Sequence, residues 1–332
     1  MTADVIESAS LDRQMPNREA PALKLQVASI EPGGRDTKLL CLEYPDGSLL
    51  PPATPGANIS LCLPGGLGRQ YSLLNPGPAP RDYLIAVRKD ANSRGGSAFV
   101  HDRLASGDAI DVLAPRNDFP LIEDAKFTLL IGGGIGITPL LAMASRLSEL
   151  HQPFRFHAAF ASRAELLLTG SLDRLAVDLH FDDAAGQLFP LGVAIADAPR
   201  DAQLYCCGPA AMIEAFIIAA RADGRDEAAI HVEYFTPPSA PMAEGSFSVA
   251  LARSGIEFVV PPGTSILDMV RASGIAAASS CEQGTCGACE VKVLEGVPDH
   301  FDAVLSPKDK RAGKSMMICC SGALSDRIVL DL

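Results

Sequence analysis

From residue 23 onward, apolar and polar positions alternate in short runs, and the period of the pattern changes along the chain. Six runs, at 23–30, 37–44, 58–63, 71–75, 83–89 and 109–113, repeat every two residues and are separated by turn-forming clusters such as Glu31-Pro-Gly-Gly34, Pro45-Asp-Gly47 and Ser106-Gly-Asp108. A two-residue period puts one side of each strand in a core, and six short strands at this spacing predict a small antiparallel barrel. At Phe127 the pattern switches. Residues 127–131 are almost uniformly apolar, as in a strand buried on both faces, and a glycine-rich turn leads into helical periodicity that runs to 150. Segments at 154–161, 165–175, 179–181, 203–207, 209–222 and 230–234 then alternate between strand and helix character. That alternation predicts a parallel sheet with helices on both faces. A third unit begins with two alternating strands, 246–252 and 257–260, followed by a helix at 265–272 with Thr264 as its cap and strands at 290–294 and 327–332.

These changes of period divide the 332 residues into a polar tail (1–21), a barrel (22–122), an α/β unit (123–235), a proline-rich linker (236–245) and a C-terminal unit (246–332). The tail has no apolar periodicity, the composition of a disordered segment. It also lacks the apolar stretch of a secretory signal, and no apolar run reaches the length of a membrane span; a cytoplasmic protein is expected. A net charge of −12 disfavours nucleic acid and anionic membranes as partners. Nine cysteines are sparse for a disulfide scaffold of this length, and three of them crowd into one loop, which points to a reducing compartment and to thiols used for metal.

That loop reads Cys281-Glu-Gln-Gly-Thr-Cys286-Gly-Ala-Cys289, with a further thiol available at Cys319 or Cys320. The spacing C-x4-C-x2-C is that of the plant-type [2Fe–2S] cluster. Gly284 and Gly287 let the backbone bend around such a group and bring its amides close to the sulfurs. Zinc is the competing reading, because Cys286 and Cys289 form half of a zinc site; the extra thiol at Cys281 and the single distant cysteine argue for the cluster.

On the barrel, Arg69-Gln-Tyr71-Ser72 offers a donor fork for phosphate, a flat face and a hydroxyl, while Arg94-Gly-Gly-Ser97 leads into a helical stretch at 98–104 and forms an anion cradle. Each alone also reads as an ordinary strand or turn; together they form a flavin phosphate and ring site. In the α/β unit, Gly132-Gly-Gly-Ile-Gly-Ile-Thr-Pro139 places a turn and a helix start after a strand, the arrangement that receives a pyrophosphate. Pro139 stands where the third glycine of the dinucleotide fingerprint would be. Cys206-Cys207-Gly-Pro209 ends a second strand in the crevice where open α/β sheets bind ligands; the alternative for Cys207 is a small buried residue.

Taken in order, these motifs resemble the phthalate dioxygenase reductase family, over about residues 22–332, down to the closing Ile-Cys-Cys-Ser and Ile-Val-Leu-Asp-Leu. The resemblance implies an antiparallel flavin-binding β-barrel, a Rossmann-like nucleotide-binding α/β domain and a C-terminal β-grasp ferredoxin domain. It places Arg69, Tyr71, Ser72, Ala86, Val87, Arg88, Arg94, Gly95, Gly96 and Ser97 at FMN, with Thr138 and Phe235 also beside the flavin. Gly134, Gly136, Thr138 and Pro139 would face the dinucleotide, and Cys207, Gly208 and Pro209 would flank its nicotinamide. Tyr71, Ser72, Thr138 and Cys207 would shape the hydride-transfer pocket. Cys281, Cys286, Cys289 and Cys319 would hold the cluster, Cys319 matching the family's fourth ligand when counted back from Leu-Asp-Leu. Gln70 and Leu74 are substitutions in a variable part of the barrel motif. No acidic residue ends the second α/β strand; Ser162 and Arg163 stand there, and an arginine could accept the 2′-phosphate of NADPH. The family uses NADH.

The implied activity is that of an oxygenase reductase: hydride from NADH to FMN, then single electrons through the cluster to a Rieske-type terminal oxygenase. A flavin is required between the two because hydride delivers two electrons and one [2Fe–2S] cluster accepts one. No acid/base dyad is needed, in keeping with only six histidines. A cytochrome P450 or other haem protein as acceptor, FAD in place of FMN, and a redox-sensing module with a vestigial flavin are the alternatives.

Overall fold

The computed structural model describes residues 22–64, 67–90, 93, 95–235, 245–279, 284, 287–302 and 304–332. The expected disordered tail, most of the linker, Arg94, Cys281 and Cys286 lie outside the described residues.

Six strands, β1 (Leu23–Gly34), β2 (Thr37–Glu43), β3 (Asn58–Leu63), β4 (Leu67–Ser72), β5 (Asp82–Arg88) and β6 (Ala109–Arg116), pair in the order β4-β3-β6-β1-β2-β5. All of these pairings are antiparallel. A bridge between Leu73 and Ile85, with Leu74 N–H donating to Leu84 O at 2.9 Å, joins the two ends of the order and closes the barrel. The alternation does what it predicts: Leu25, Val27, Leu40, Leu42, Ile59, Leu61, Ile85 and Val112 all face one core. Helix α1 (Gly96–Asp102) adds Val100 to it. The fourth strand begins four residues earlier than its apolar alternation suggests, so Arg69 lies inside β4 and Ser72 at its end. Register against β3, Asn58 opposite Ser72 and Leu61 opposite Arg69, extends the strand through polar residues.

The α/β unit runs β7 (Thr128–Gly133), α2 (Ile137–Glu149), β8 (Phe154–Phe160), α3 (Thr169–Arg174), β9 (Asp178–Phe181), α4 (Asp182–Ala185), α5 (Leu191–Ala196), β10 (Gln203–Cys207), α6 (Ala210–Ala222) and β11 (Ile230–Glu233). Its sheet, in the order β11-β10-β7-β8-β9, is parallel throughout. Neighbouring residues of one strand serve opposite faces. Leu130, Tyr205 and Cys207 pack with Leu140 and Leu147 of α2, whereas Leu129, Ile131, Leu204 and Cys206 pack with Ile195 of α5 and Ile213 and Phe216 of α6. The strand order reverses between β7 and β10, which opens a crevice at their carboxyl ends.

The helix predicted at 165–175 is shorter than its composition suggests. Residues Arg163–Glu165 form a 3-10 turn and only Thr169–Arg174 is α-helical. Between them Leu167 bridges Gly34 of the barrel, and Leu168, in the left-handed region at φ 56°, donates its N–H to Gly33 O at 2.9 Å. Tertiary pairing of that backbone overrides helix propensity.

The C-terminal unit contains β12 (Phe247–Leu251), β13 (Ile256–Val260), α7 (Ile266–Ala272), β14 (Glu290–Glu295), β15 (Pro298–Asp299), α8 (Pro307–Ala312), β16 (Ser315–Met317), β17 (Gly322–Ala323) and β18 (Arg327–Leu330). Its main sheet is ordered β13-β12-β18-β14-β16, with β12 parallel to β18, and Ile266, Leu267 and Val270 of α7 pack on it: a β-grasp. The cap of α7 is Ser265, not Thr264. Ser265 Oγ accepts the Asp268 N–H at 3.1 Å while the Asp268 carboxylate accepts the Ser265 N–H at 3.3 Å, a reciprocal capping box that Thr264 is one residue too early to make. Ser265→Ala should therefore lower the stability of this unit by about 1 kcal/mol, seen as a lower unfolding midpoint, whereas Thr264→Ala should leave the midpoint unchanged.

Candidate functional site

The glycine turn after β7 allows close backbone approach. Gly136 has no room for a side chain, because a Cβ there would fall inside the van der Waals envelope of Cys207 O; one on Gly133 would sit 2.6 Å from Met212 Sδ and 2.8 Å from Pro209 Cδ. The Gly132–Pro139 turn and the Cys207-Gly208-Pro209 turn, separate in sequence, are thus pressed together at the carboxyl ends of β7 and β10. Gly134 is at φ 53°, and Arg88 Nη1 lies 3.7 Å from its notional Cβ. Pro139 falls in the first turn of α2, where its missing N–H costs nothing. The Ile137 N–H is taken up by the preceding 3-10 turn at Gly134 O, and the positive end of the α2 dipole suits a pyrophosphate. Thr138 is buried and its hydroxyl donates to Ile135 O at 3.0 Å.

Cys207 is fully buried, and its thiol is pushed well above the ordinary value by that burial and then by the Glu233 carboxylate. Glu233 stands opposite Cys207 in the β10–β11 register. Its Oε2 is enclosed with no hydrogen-bond partner among the described residues. Burial, with a smaller contribution from the Asp118 charge, pushes its carboxyl up to about 8. A carboxyl shifted towards its neutral form beside the proposed nicotinamide turn is a candidate that no motif signals. Its one signal in the sequence is an acidic side chain closing the apolar run Ile230-His-Val-Glu233.

On the barrel, Arg69 Nη1 donates to Gly68 O at 2.7 Å, and its side chain lies against Gly96, where a Cβ would come within 2.6 Å of Arg69 Cγ. Tyr71 is largely enclosed, which pushes its hydroxyl up to about 12 against the opposing charge of Arg69. Ser72 Oγ and Gln70 Nε2 are buried without partners among the described residues. Buried polar atoms left open in this way fit a bound heterocycle such as a flavin ring. The Gly95-Gly96-Ser97 segment is partly self-satisfied: Ser93 Oγ accepts the N–H groups of Gly95 and Ala98, each at 3.2 Å, and Ser97 Oγ donates to Ser93 Oγ at 3.1 Å. Ala86 and Val87 are core residues of β5, and Arg88 Nη2 donates to Glu165 at 2.7 Å. Ala86, Leu39 and Leu74 of the barrel share one apolar cluster with Ile137, Cys207 and Phe235, so the barrel and the α/β crevice have a common wall.

At the far side of the sheet, Arg163 lies with its guanidinium 4.8 Å from the Phe181 ring. Asp183 N–H donates to Ala161 O at 3.1 Å, which brings Asp182 and Asp183 beside Ser162 although they follow β9 rather than β8. Acidic side chains thus stand near the end of the second strand although the sequence there has none.

In the C-terminal unit, Cys289 and Cys319 are buried together. Cys319 is drawn below the usual thiol range by hydrogen bonds with the Cys289 and Cys320 side chains and from the Gly284 backbone, whereas Cys320 is pushed up, first by its bond to Cys319. Gly284, at φ 69°, admits no Cβ: one would overlap Cys320 Sγ and lie 3.1 Å from Asp302 Cα. A loop this close to two adjoining thiols fits a thiolate-bound cluster.

Residues 249–324 match the 2Fe-2S iron-sulfur cluster binding domain family. The chain is 45% identical to the phenoxybenzoate dioxygenase subunit beta of Ectopseudomonas oleovorans, over 93% of this chain and 97% of that protein. A solved phthalate dioxygenase reductase, described as a modular structure for electron transfer from pyridine nucleotides to [2Fe-2S], superposes with a TM-score of 0.76 at 36% identity, covering 94% of this chain and 98% of that one. An intact type IV self-sufficient cytochrome P450 monooxygenase gives the same TM-score at 37% identity, with 94% of this chain matching 41% of that one.

Two outcomes follow from this geometry. Gly136→Ala should displace the α2 turn and weaken dinucleotide binding by at least tenfold, measured by titration, with flavin content unchanged. Glu233 has a folded value of about 8 against about 4.3 in an unfolded chain. The proton it keeps on folding favours the native state fully below about pH 4.3, and that contribution falls as pH rises to about 8. Glu233→Gln should accordingly flatten the decline of stability over this window in denaturant titrations.

Proposed function

The chain belongs to the phthalate dioxygenase reductase family, and on that premise we propose that it takes hydride from NADH onto FMN and passes single electrons through a [2Fe–2S] cluster to a Rieske-type terminal oxygenase. The observation that carries this reading is the wall shared by the barrel and the α/β crevice, on which Ala86 and Leu74 meet Cys207 and Phe235. A ring on the barrel side and a nicotinamide on the crevice side would be neighbours there.

The bound flavin supplies the conversion from two-electron to one-electron transfer. The chain's own residues bind, orient and exclude water. Arg69 with Gly95, Gly96 and Ser97 would hold the flavin phosphate, Tyr71 would cover the ring, and the open Ser72 Oγ would bond a ring atom. Thr138 and Cys207 would form the floor beneath the nicotinamide. Phe235 would close the pocket just before the linker. Gly134, Gly136 and Pro139 would take the pyrophosphate. NADH is favoured over NADPH because the carboxylates of Asp182 and Asp183, beside Ser162, would repel a 2′-phosphate, and Arg163 is engaged with Phe181. FMN rather than FAD follows from the family resemblance.

Cys281, Cys286, Cys289 and Cys319 would hold the cluster. Cys319 is supported over Cys320 by its count back from Leu-Asp-Leu and by its burial in the cluster of side chains that holds Cys289, where Cys320 is the more exposed of the two. A P450 acceptor is the second reading, favoured by the likeness to a self-sufficient P450 in which this whole chain corresponds to part of a longer one.

Cys319→Ser should retain NADH-dependent ferricyanide reduction by the flavin, lose iron, and reduce cytochrome c at least tenfold more slowly. Cys320→Ser should keep two irons per chain and both activities. Equal cytochrome c reduction by the Cys319→Ser protein would show that the cluster is not the exit for electrons.

A further inference from the structure

Arg88 ends β5 of the barrel, yet its side chain leaves the barrel and engages the α/β unit. Its Nη2 donates to Glu165 Oε2 at 2.7 Å, and its Nη1 lies 3.7 Å from the notional Cβ of Gly134. Glu165 also accepts from Arg35 Nη1 at 3.0 Å, through its other oxygen. The carboxylate is 22% exposed, less than either arginine. Its backbone is fixed as well, because Glu165 closes the 3-10 turn after β8 and the chain runs on into the Leu167–Gly34 bridge and the Leu168-to-Gly33 hydrogen bond.

A guanidinium presents its donors in a planar fork, so fixing one edge fixes the direction of the other. We propose that Glu165 is a positioning residue for the dinucleotide: by holding the Nη2 edge of Arg88 it aims the Nη1 edge over the glycine turn, where the pyrophosphate binds. The inference rests on the pyridine-nucleotide reductase reading above. It adds a carboxylate that touches neither cofactor nor substrate, and it gives Arg88 a reach beyond the flavin segment to which it belongs in sequence.

A negative charge near a pyrophosphate is by itself unfavourable, so the sign of the effect has to be decided. Glu165 is shared between two guanidinium groups, one of which also meets Asp36 at 3.7 Å, so the cluster is close to neutral, and the partly exposed position of Glu165 screens its repulsion of a ligand. Without it, Arg35 and Arg88 repel each other and Arg88 regains its rotamer freedom. Ordering a long side chain on binding costs about 0.5–1.5 kcal/mol, or roughly two- to tenfold in affinity. Loss of orientation therefore outweighs relief of repulsion.

The test is calorimetric titration of the flavin-loaded full chain with ADP-ribose, which carries the pyrophosphate but no nicotinamide and so reports binding apart from turnover. Glu165→Gln should raise the ADP-ribose Kd about fivefold, with kcat for NADH oxidation and flavin content unchanged and KM raised in parallel. In an Arg88→Met background the same substitution should add less than about twofold, the signature of coupling through Arg88. Arg35→Met, which breaks the other arm of the ion pair, should stay within about twofold of the parent and so separates positioning from general support of the interface. The proposal is overturned if Glu165→Gln leaves ADP-ribose binding unchanged or tightens it, if the effect persists without Arg88, or if the variant loses flavin instead. A parent protein that neither binds ADP-ribose nor is reduced by NADH would refute the reductase reading itself, whatever the variants do.

Discussion

Two backbones can meet at Gly136 because there is no methyl group between them, and the catalytic architecture depends on that contact. The first turn of α2 lies against the Cys207 carbonyl, so the helix amides and the Cys207-Gly208-Pro209 turn face the same crevice. The reversal of strand order between β7 and β10 would give an open sheet a crevice in any case; the missing side chains at Gly133 and Gly136 narrow it to a slot. The barrel residues Leu39, Leu74 and Ala86 complete the slot from the other side through the apolar cluster they share with Cys207.

Burial has opposite consequences for the ionisable groups on this framework. Cys207 and Glu233, face to face on adjacent parallel strands, are both driven towards their neutral forms, so the deepest part of the crevice carries little charge at neutral pH. Cys319 is also buried, yet hydrogen bonds from neighbouring thiols and from the Gly284 amide outweigh desolvation and favour its charged form. The first environment suits a neutral aromatic ring and the second suits a thiolate that ligates iron.

Most of the architecture is legible in the sequence because strand alternation and the switch to uniform apolar runs are direct images of one-sided and two-sided burial. Three kinds of feature are not. Segments whose conformation is imposed from outside mislead: residues 166–168 have helical composition but pair with the barrel at Gly33 and Gly34. Short polar elements carry no period to detect, which is why α4, α8 and the β15–β17 ribbon are absent from the pattern, although Ser306, whose Oγ accepts the Asp309 N–H, marks the start of α8. Site residues brought in from a different strand also escape motif reading. Asp182 follows β9 yet stands beside Ser162, and Glu233 acquires its character from burial and from the charge of Asp118, which is far from it in sequence. The close approach of the Gly132–Pro139 and Cys207–Pro209 turns was signalled in advance, because glycine and proline at a strand end have few other uses.

The bridge between Gly34 and Leu167 consists of main-chain groups rather than side chains. Flavin barrel and nucleotide sheet are consequently stitched together as fabric, and parting them would strip the Gly33 carbonyl and the Leu168 amide of the partners they give each other. A graft that moved barrel and sheet as one cassette would carry that seam intact.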